Sequence, residues 1–269
     1  MRISSLIFEY NQNTSKNASG RAGFRVTNDF VFSYSAGSIA TFLHHNPHLN
    51  YIINTDNVDL ISTKIDEYDV STDNLQIVDW SDYINEWREH FYCFYPLSMH
   101  LLLHSEEAKK TNDDVLKLDN DLICKKPIDD IFDSCDCIVW DYIGRTNNMI
   151  SAGRDYWGEK YCAEQGLGTT DFMGYNNGVL GWSKNYLHLA KDSLDMTLRL
   201  ASVDVSPATK NHPNNNERGK KILAWSEQLA TNYVMHYNKL NIRRVPDYFD
   251  HHYVDKSLVF KDSQFLKRL

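Results

Sequence analysis

The stretch Val115-Leu116-Lys117-Leu118-Asp119-Asn120-Asp121-Leu122-Ile123 decides the reading of this chain. Its first four residues, apolar apart from Lys117, predict a short buried strand, with Ile123 continuing it. On an extended backbone residues two apart point the same way, so Asp119 and Asp121 aim together and Asn120 aims away. In open α/β sheets ligands bind beyond the C-terminal ends of the strands, which is where these carboxylates fall. Two neighbouring carboxylates repel each other and favour a hard cation, magnesium or manganese. Such a cation can bridge to a diphosphate and stabilise it as a leaving group. A bare D-x-D triplet is common by chance. The plain alternative is a pair of surface aspartates capping the next element.

Working outward, the preceding half alternates strand and helix signals. Residues 3–9 read as a strand, followed by a polar loop to Gly23. Phe30 to Tyr34 reads as a β-rich run, and Ser35 to His45 as a helix stopped by Pro47. Leu49 to Ile53 is the next strand and runs into Asn54-Thr55-Asp56-Asn57. A strand, a helix and a second strand in this order seed a parallel sheet. Leu75 to Val78 predicts a strand, Asp82 to about His104 a helix broken near Pro96, and Ser105 to Asp114 a loop. After the triplet, Ile128 to Phe132 suggests a short helix and Cys137 to Trp140 a strand. Asn185 to Leu200 and Leu223 to Tyr237 read as helices, and Ile242 to Val245 as a late strand. Residues 206–221 are polar enough to be a loop of lid type.

Composition narrows the class. A chain of 269 residues with 42% hydrophobic content makes one sizeable α/β domain with a core that needs no staples. The net charge of −8 argues against nucleic acid, whose phosphates require a basic face. No apolar run is long enough for a membrane span, and no signal peptide is evident. The five cysteines, odd in number and irregularly spaced, form neither a disulfide framework nor a zinc half-site. They read as reduced thiols, so the expected location is cytoplasmic. The sixteen tyrosines could stack on sugars or bases, but core and surface packing explains any one of them as well.

Several segments together carry a family resemblance. Leu116 to Ile123, followed by Lys126-Pro127-Ile128-Asp129-Asp130-Ile131-Phe132, resembles the D-x-D segment of GT-A glycosyltransferases, most closely families eight and thirty-two. Phe30 to Asn57 is similar to the first strand, helix and second strand of their nucleotide-binding half. Tyr175-Asn176-Asn177-Gly178-Val179 resembles their F-N-S-G-V strand. Trp225-Ser226-Glu227-Gln228 resembles the D-Q start of a helix, and His252-Tyr253-Val254-Asp255-Lys256 the terminal H-F-x-G-x-x-K segment. These segments occur in the family's order, and several weak motifs in one order weigh more than any one of them.

The resemblance implies a GT-A (Rossmann-like) fold: a mixed, mostly parallel central sheet flanked by helices in a single domain over 1–269. Residues from about 24 to 140 would bind the nucleotide sugar and residues 141–269 the acceptor. It implies a metal-dependent hexosyltransferase-like enzyme that uses Mn2+ or Mg2+. The donor would be a nucleotide-diphosphate sugar, UDP-linked ahead of GDP-linked. The acceptor would be a hydroxyl on a glycan, glycolipid or glycoprotein. Asp121 would ligate the metal, Asp119 the metal or the donor ribose, and His252 or its neighbour His251 would be the third protein ligand. Lys256 would neutralise the leaving diphosphate. Ser33, Tyr34 and Asp56 would line the nucleotide pocket with Asp119 and Asn120. Asn176, Asn177 and Gln228 would contact the donor, and Glu227 or Asp171 would supply a general base if the reaction inverts configuration.

Bland readings stand beside these. Asn-Gly is a strong turn signal, and Glu227 could simply complement a helix dipole. A D-x-D phosphatase would need its triplet after an early strand. A nucleotidyltransferase would need an early glycine-rich phosphate loop, and a calcium loop would need a following glycine and glutamate. None of these is present. A non-catalytic nucleotide-sugar or carbohydrate-binding module of the same fold remains the alternative function.

Overall fold

A computed structural model describes residues 1–9, 28–90, 95–141, 174–201, 226–252 and 255–268. Among these, seven strands form one sheet: β1 (Arg2–Ile7), β2 (Tyr51–Thr55), β3 (Leu75–Asp79), β4 (Val115–Leu118), β6 (Cys137–Val139), β7 (Val179–Trp182) and β8 (Ile242–Arg244). Their order is β3-β2-β1-β4-β7-β6-β8. Every neighbouring pair is parallel except those made by β7, which runs antiparallel to both β4 and β6. The expected mixed, mostly parallel sheet is therefore present. The chain steps outward from β1 to β2 to β3, then returns to place β4 on the other side of β1. That reversal makes a switch point beside the C-terminal end of β4.

The helices divide between the two faces, and strand alternation shows which face is which. Helix α1 (Asn28–His45) packs with α2 (Val58–Ile65) and α7 (Ser257–Ser263) over Ile3, Ile7, Leu116 and Leu118. The other face carries α4 (Tyr95–Thr111), α5 (Leu189–Ala201) and α6 (Ser226–Tyr237), packed on Leu6, Val115 and Leu180. Residues of β4 with the parity of Val115, including Lys117, therefore look toward α6. Helix α3 (Ser81–His90) leads into α4. No described helix is long and apolar enough to cross a membrane.

Several expectations change. Phe30 to Tyr34 is helix, not strand, and the first strand is β1, upstream of it. The misread part is the start of α1, where Phe30, Val31, Phe32 and Tyr34 are aromatic or β-branched and so mimic a strand; every residue from Val31 to Leu43 except Ser33 is buried. Ser105 to Thr111 continues α4 instead of looping. Its polar character comes from exposed i,i+3 pairs, Lys109 with Glu106 and Lys110 with Glu107. Ile128 to Phe132 falls in turns, not a helix. Ile123 does not extend β4. It belongs to β5 (Leu122–Cys124), which pairs antiparallel with β9 (Phe249–His251) in a separate two-stranded ribbon.

Candidate metal and donor site

The triplet lies where the chain leaves one sheet for the other. Asp119 still joins the main ladder, its N–H donating to the Gly178 carbonyl at 2.7 Å. Asn120 and Asp121 then form a turn, and β5 begins. Strand alternation is thus not what brings the carboxylates together; the turn between the two sheets does. Asn120, at its apex, is half-buried. The ribbon register sets Leu122 opposite His251, and the His252 N–H donates to the Asp121 carbonyl at 2.9 Å.

Asp119, Asp121 and His251 consequently converge, with one ligand atom from each lying within 4.8 Å of the others. His251 Nε2 is 3.0 Å from Asp121 Oδ1 and 3.9 Å from Asp119 Oδ2. The shorter distance matches the edge between adjacent ligands of a small divalent cation with bonds of about 2.1 Å. Asp121 Oδ1 is buried and makes no hydrogen bond of good geometry among the described residues. A buried carboxylate oxygen of this kind fits a cation ligand. Trp140 holds the His251 ring edge-on at a centroid distance of 5.0 Å, and its Nε1 donates to the Phe249 carbonyl. Gly178 lies against the same ring: a Cβ there would come within 2.4 Å of His251 Cε1. His252 faces elsewhere, its Nε2 3.1 Å from Asp262 Oδ2, so the candidate histidine is His251 and not His252.

Two ammonium groups bracket the carboxylates. Lys256 pairs with Asp121 Oδ2 and lies 5.0 Å from the Tyr34 ring centroid. Burial would raise the Asp121 carboxyl, but the Lys256 ammonium and His251 outweigh it and hold it well below the usual carboxylate range. On the α6 side, Lys117 is 2% exposed. Its Nζ pairs with Asp119 Oδ1 and donates to the Asn177 carbonyl at 2.9 Å. The Asn177 N–H donates to Gln228 Oε1 at 3.3 Å. Glu227, beside Gln228 at the start of α6, is buried, and burial pushes its carboxyl up to about 7. Lys117 opposes that rise and Asp119 adds to it.

The structure thus gathers Asp119, Asp121, His251, Lys256, Tyr34, Asn177, Glu227 and Gln228 beyond the C-terminal end of the central strand β4. Asn176 caps the turn, its Oδ1 accepting from the Gly178 N–H at 2.6 Å. Ser33 is half-buried on α1 beside Tyr34. Asp56 lies past the end of β2, where its carboxylate accepts the Glu9 N–H at 2.9 Å. Asp171 lies outside the described residues. Lys117, Trp140 and Gly178 stand in segments the sequence picks out, but with no site role assigned to them; Lys117 carries the clearest signal, as the one charge in an otherwise apolar strand.

No protein-family model matches the sequence, and no curated protein matches it. Solved structures do. Mouse xyloside xylosyltransferase 1 in its apo form superposes with a TM-score of 0.50 at 10% identity, covering 91% of this chain and 84% of that one. The galactosyltransferase LgtC in complex with donor and acceptor sugar analogs gives 0.44 at 13% identity, covering 86% and 69%. An active-site mutant of LgtC gives 0.45 at 12% identity over the same shares. The chain has the GT-A fold, with a D-x-D-like Asp119-x-Asp121 group just past the central strand β4.

Proposed function

We propose that this protein is a glycosyltransferase that moves a sugar from a nucleotide-diphosphate donor, UDP-linked ahead of GDP-linked, to a hydroxyl acceptor on a glycan, lipid or protein. The observation that carries the reading is the convergence of Asp119, Asp121 and His251 beside the switch point of a GT-A sheet. These three would hold Mn2+ or Mg2+, which when bound supplies Lewis-acid stabilisation of the departing diphosphate. The remaining chemistry belongs to the chain. Lys256, half-exposed beside Asp121, would pair with the diphosphate and offset its charge. Asn176, Asn177 and Gln228, on the other side of the carboxylates, would hydrogen-bond the donor sugar. Tyr34 backs Lys256 and closes the nucleotide side, with Ser33 next to it and Asp56 at the end of β2. Glu227, titrating near neutrality, would hold or take a proton on the acceptor side. The free thiols of Cys124, Cys135 and Cys137 suit a reducing compartment such as the cytoplasm.

The test is donor hydrolysis by the purified protein across UDP- and GDP-sugars, with manganese and with chelator. Manganese-dependent hydrolysis of one donor, lost in Asp121→Asn, is the expected result. Failure of every donor to bind, with or without metal, would reject the proposal.

A further inference from the structure

A cation bound by Asp119 would share that carboxylate with a neighbour it cannot displace. Lys117 projects from β4 toward α6, is 2% exposed, and has its Nζ fixed by the Asn177 carbonyl at 2.9 Å as well as by Asp119 Oδ1. Lys256, the other ammonium in the site, is different. Its side chain is 35% exposed, against 2% for Lys117, so solvent screens it where Lys117 is shut away.

We infer that Lys117 is a positioning residue that keeps the cation affinity of the Asp119–Asp121–His251 group low until a diphosphate ligand is present. This rests on the cation site proposed above. The physical argument is electrostatic. A fixed ammonium on one oxygen of Asp119 both orients the carboxylate, leaving Oδ2 on the His251 side, and repels any second cation placed on that oxygen. Like charges in a buried site repel far more strongly than in water. An anionic diphosphate restores the balance, so cation and donor bind together, each strengthening the other. A metal held this way exchanges freely in the empty protein and becomes tight only when the donor is in place.

The test is Mn2+ binding, read from the paramagnetic resonance of free Mn2+, with Mn2+ alone and with Mn2+ plus UDP. Wild type is compared with Lys117→Gln, which keeps a hydrogen-bond donor, and Lys117→Met, which does not. Both variants should bind Mn2+ alone roughly tenfold or more tighter than wild type, with the added benefit of UDP reduced. A merely structural lysine gives the opposite sign, since a damaged site loosens. Unchanged or weaker Mn2+ affinity in variants that still melt cooperatively overturns the inference. Should neither variant fold, the wild type decides alone. With the Mn2+–UDP complex in solution subtracted, UDP must tighten Mn2+ binding at least tenfold, and equal affinity with and without UDP overturns the inference. Donor hydrolysis separates the two proposals. Hydrolysis with unchanged Mn2+ affinity in the variants removes this inference only. Tightened Mn2+ binding with no hydrolysis of any donor removes the catalytic reading only. No Mn2+ binding by wild type under either condition removes both.

Discussion

At the scale of single residues, the site depends on contacts with little slack. Gly178 has no side chain because the His251 ring occupies the space where one would go. Gly178→Ala should push that ring off the aspartates. The overpacking should cost about 1–3 kcal/mol, seen as a lower melting temperature, together with a weaker Mn2+ titration. A normal melting temperature with normal Mn2+ affinity would show that the ring has room to spare. Asp121→Asn tests a different property. It preserves shape but removes the charge that Lys256 and His251 face. It should abolish Mn2+ binding while leaving secondary structure by circular dichroism intact. The triplet, common by chance on its own, was legible through its company: the apolar strand before it and the family-like segments that accompany it in order. Lys117 could have been read too, since a lone cation in a buried strand needs a partner, and the nearest acid of the same parity is Asp119. The importance of Gly178 could not be read, because its reason lies in a ring from a segment far along the chain.

At the scale of elements, β2, β3, β4 and the 226–237 helix follow their local patterns. Misreadings fell where aromatic and β-branched residues mimicked a strand or where solvent exposure mimicked a loop, as at the start of α1 and the end of α4. The ribbon of β5 and β9 was invisible for a related reason: three residues on each side carry no period of their own. Helix α4 also supplies a pH-sensitive feature. Its His100 and His104 meet across one turn, both within 2.8 Å of the Asn54 amide, with Trp80 against them. Burial, with Arg2 nearby, lowers the His104 imidazole to about 3. Burial, with His104, Lys117 and Arg2, holds His100 well below its ordinary range. A histidine whose pKa is depressed on folding stays neutral in the native state and takes up its proton on unfolding. Stability is therefore full above the unfolded value near 6.5 and falls as pH drops toward the folded one. Between pH 7 and 5, His104 should cost wild type about 2 kcal/mol that His104→Gln does not lose. Urea denaturation at the two pH values checks this, and parallel losses in both proteins would contradict it.

At the scale of the whole molecule, the candidate site joins both faces of the sheet and the separate ribbon. A ligand that binds only this assembly should stabilise all of it by mass action. Mn2+ with UDP at a hundred times the dissociation constant should add about 2.7 kcal/mol, a rise of several degrees in melting temperature. Either component alone should add less, and Asp121→Asn should show no rise. The overall architecture was legible partly from local patterns, β2 and β3 among them, and partly from the family-like order of the segments, although the start of α1 and the end of α4 were misread. The coming together of the site was not, because it rests on pairing between distant segments.

That distance has a consequence for biosynthesis. Lys256 and Asp121, which meet in the finished protein, are 135 positions apart. His251 pairs with Leu122 in the ribbon, so that pairing waits until the whole segment between them has been made. A ribosome-bound chain that has already formed β4 carries its aspartates without the histidine and lysine that complete them. Between the making of Asp121 and that of Lys256 the candidate site is a pair of carboxylates without their partners, and the pairing of β5 with β9 is the step that completes it.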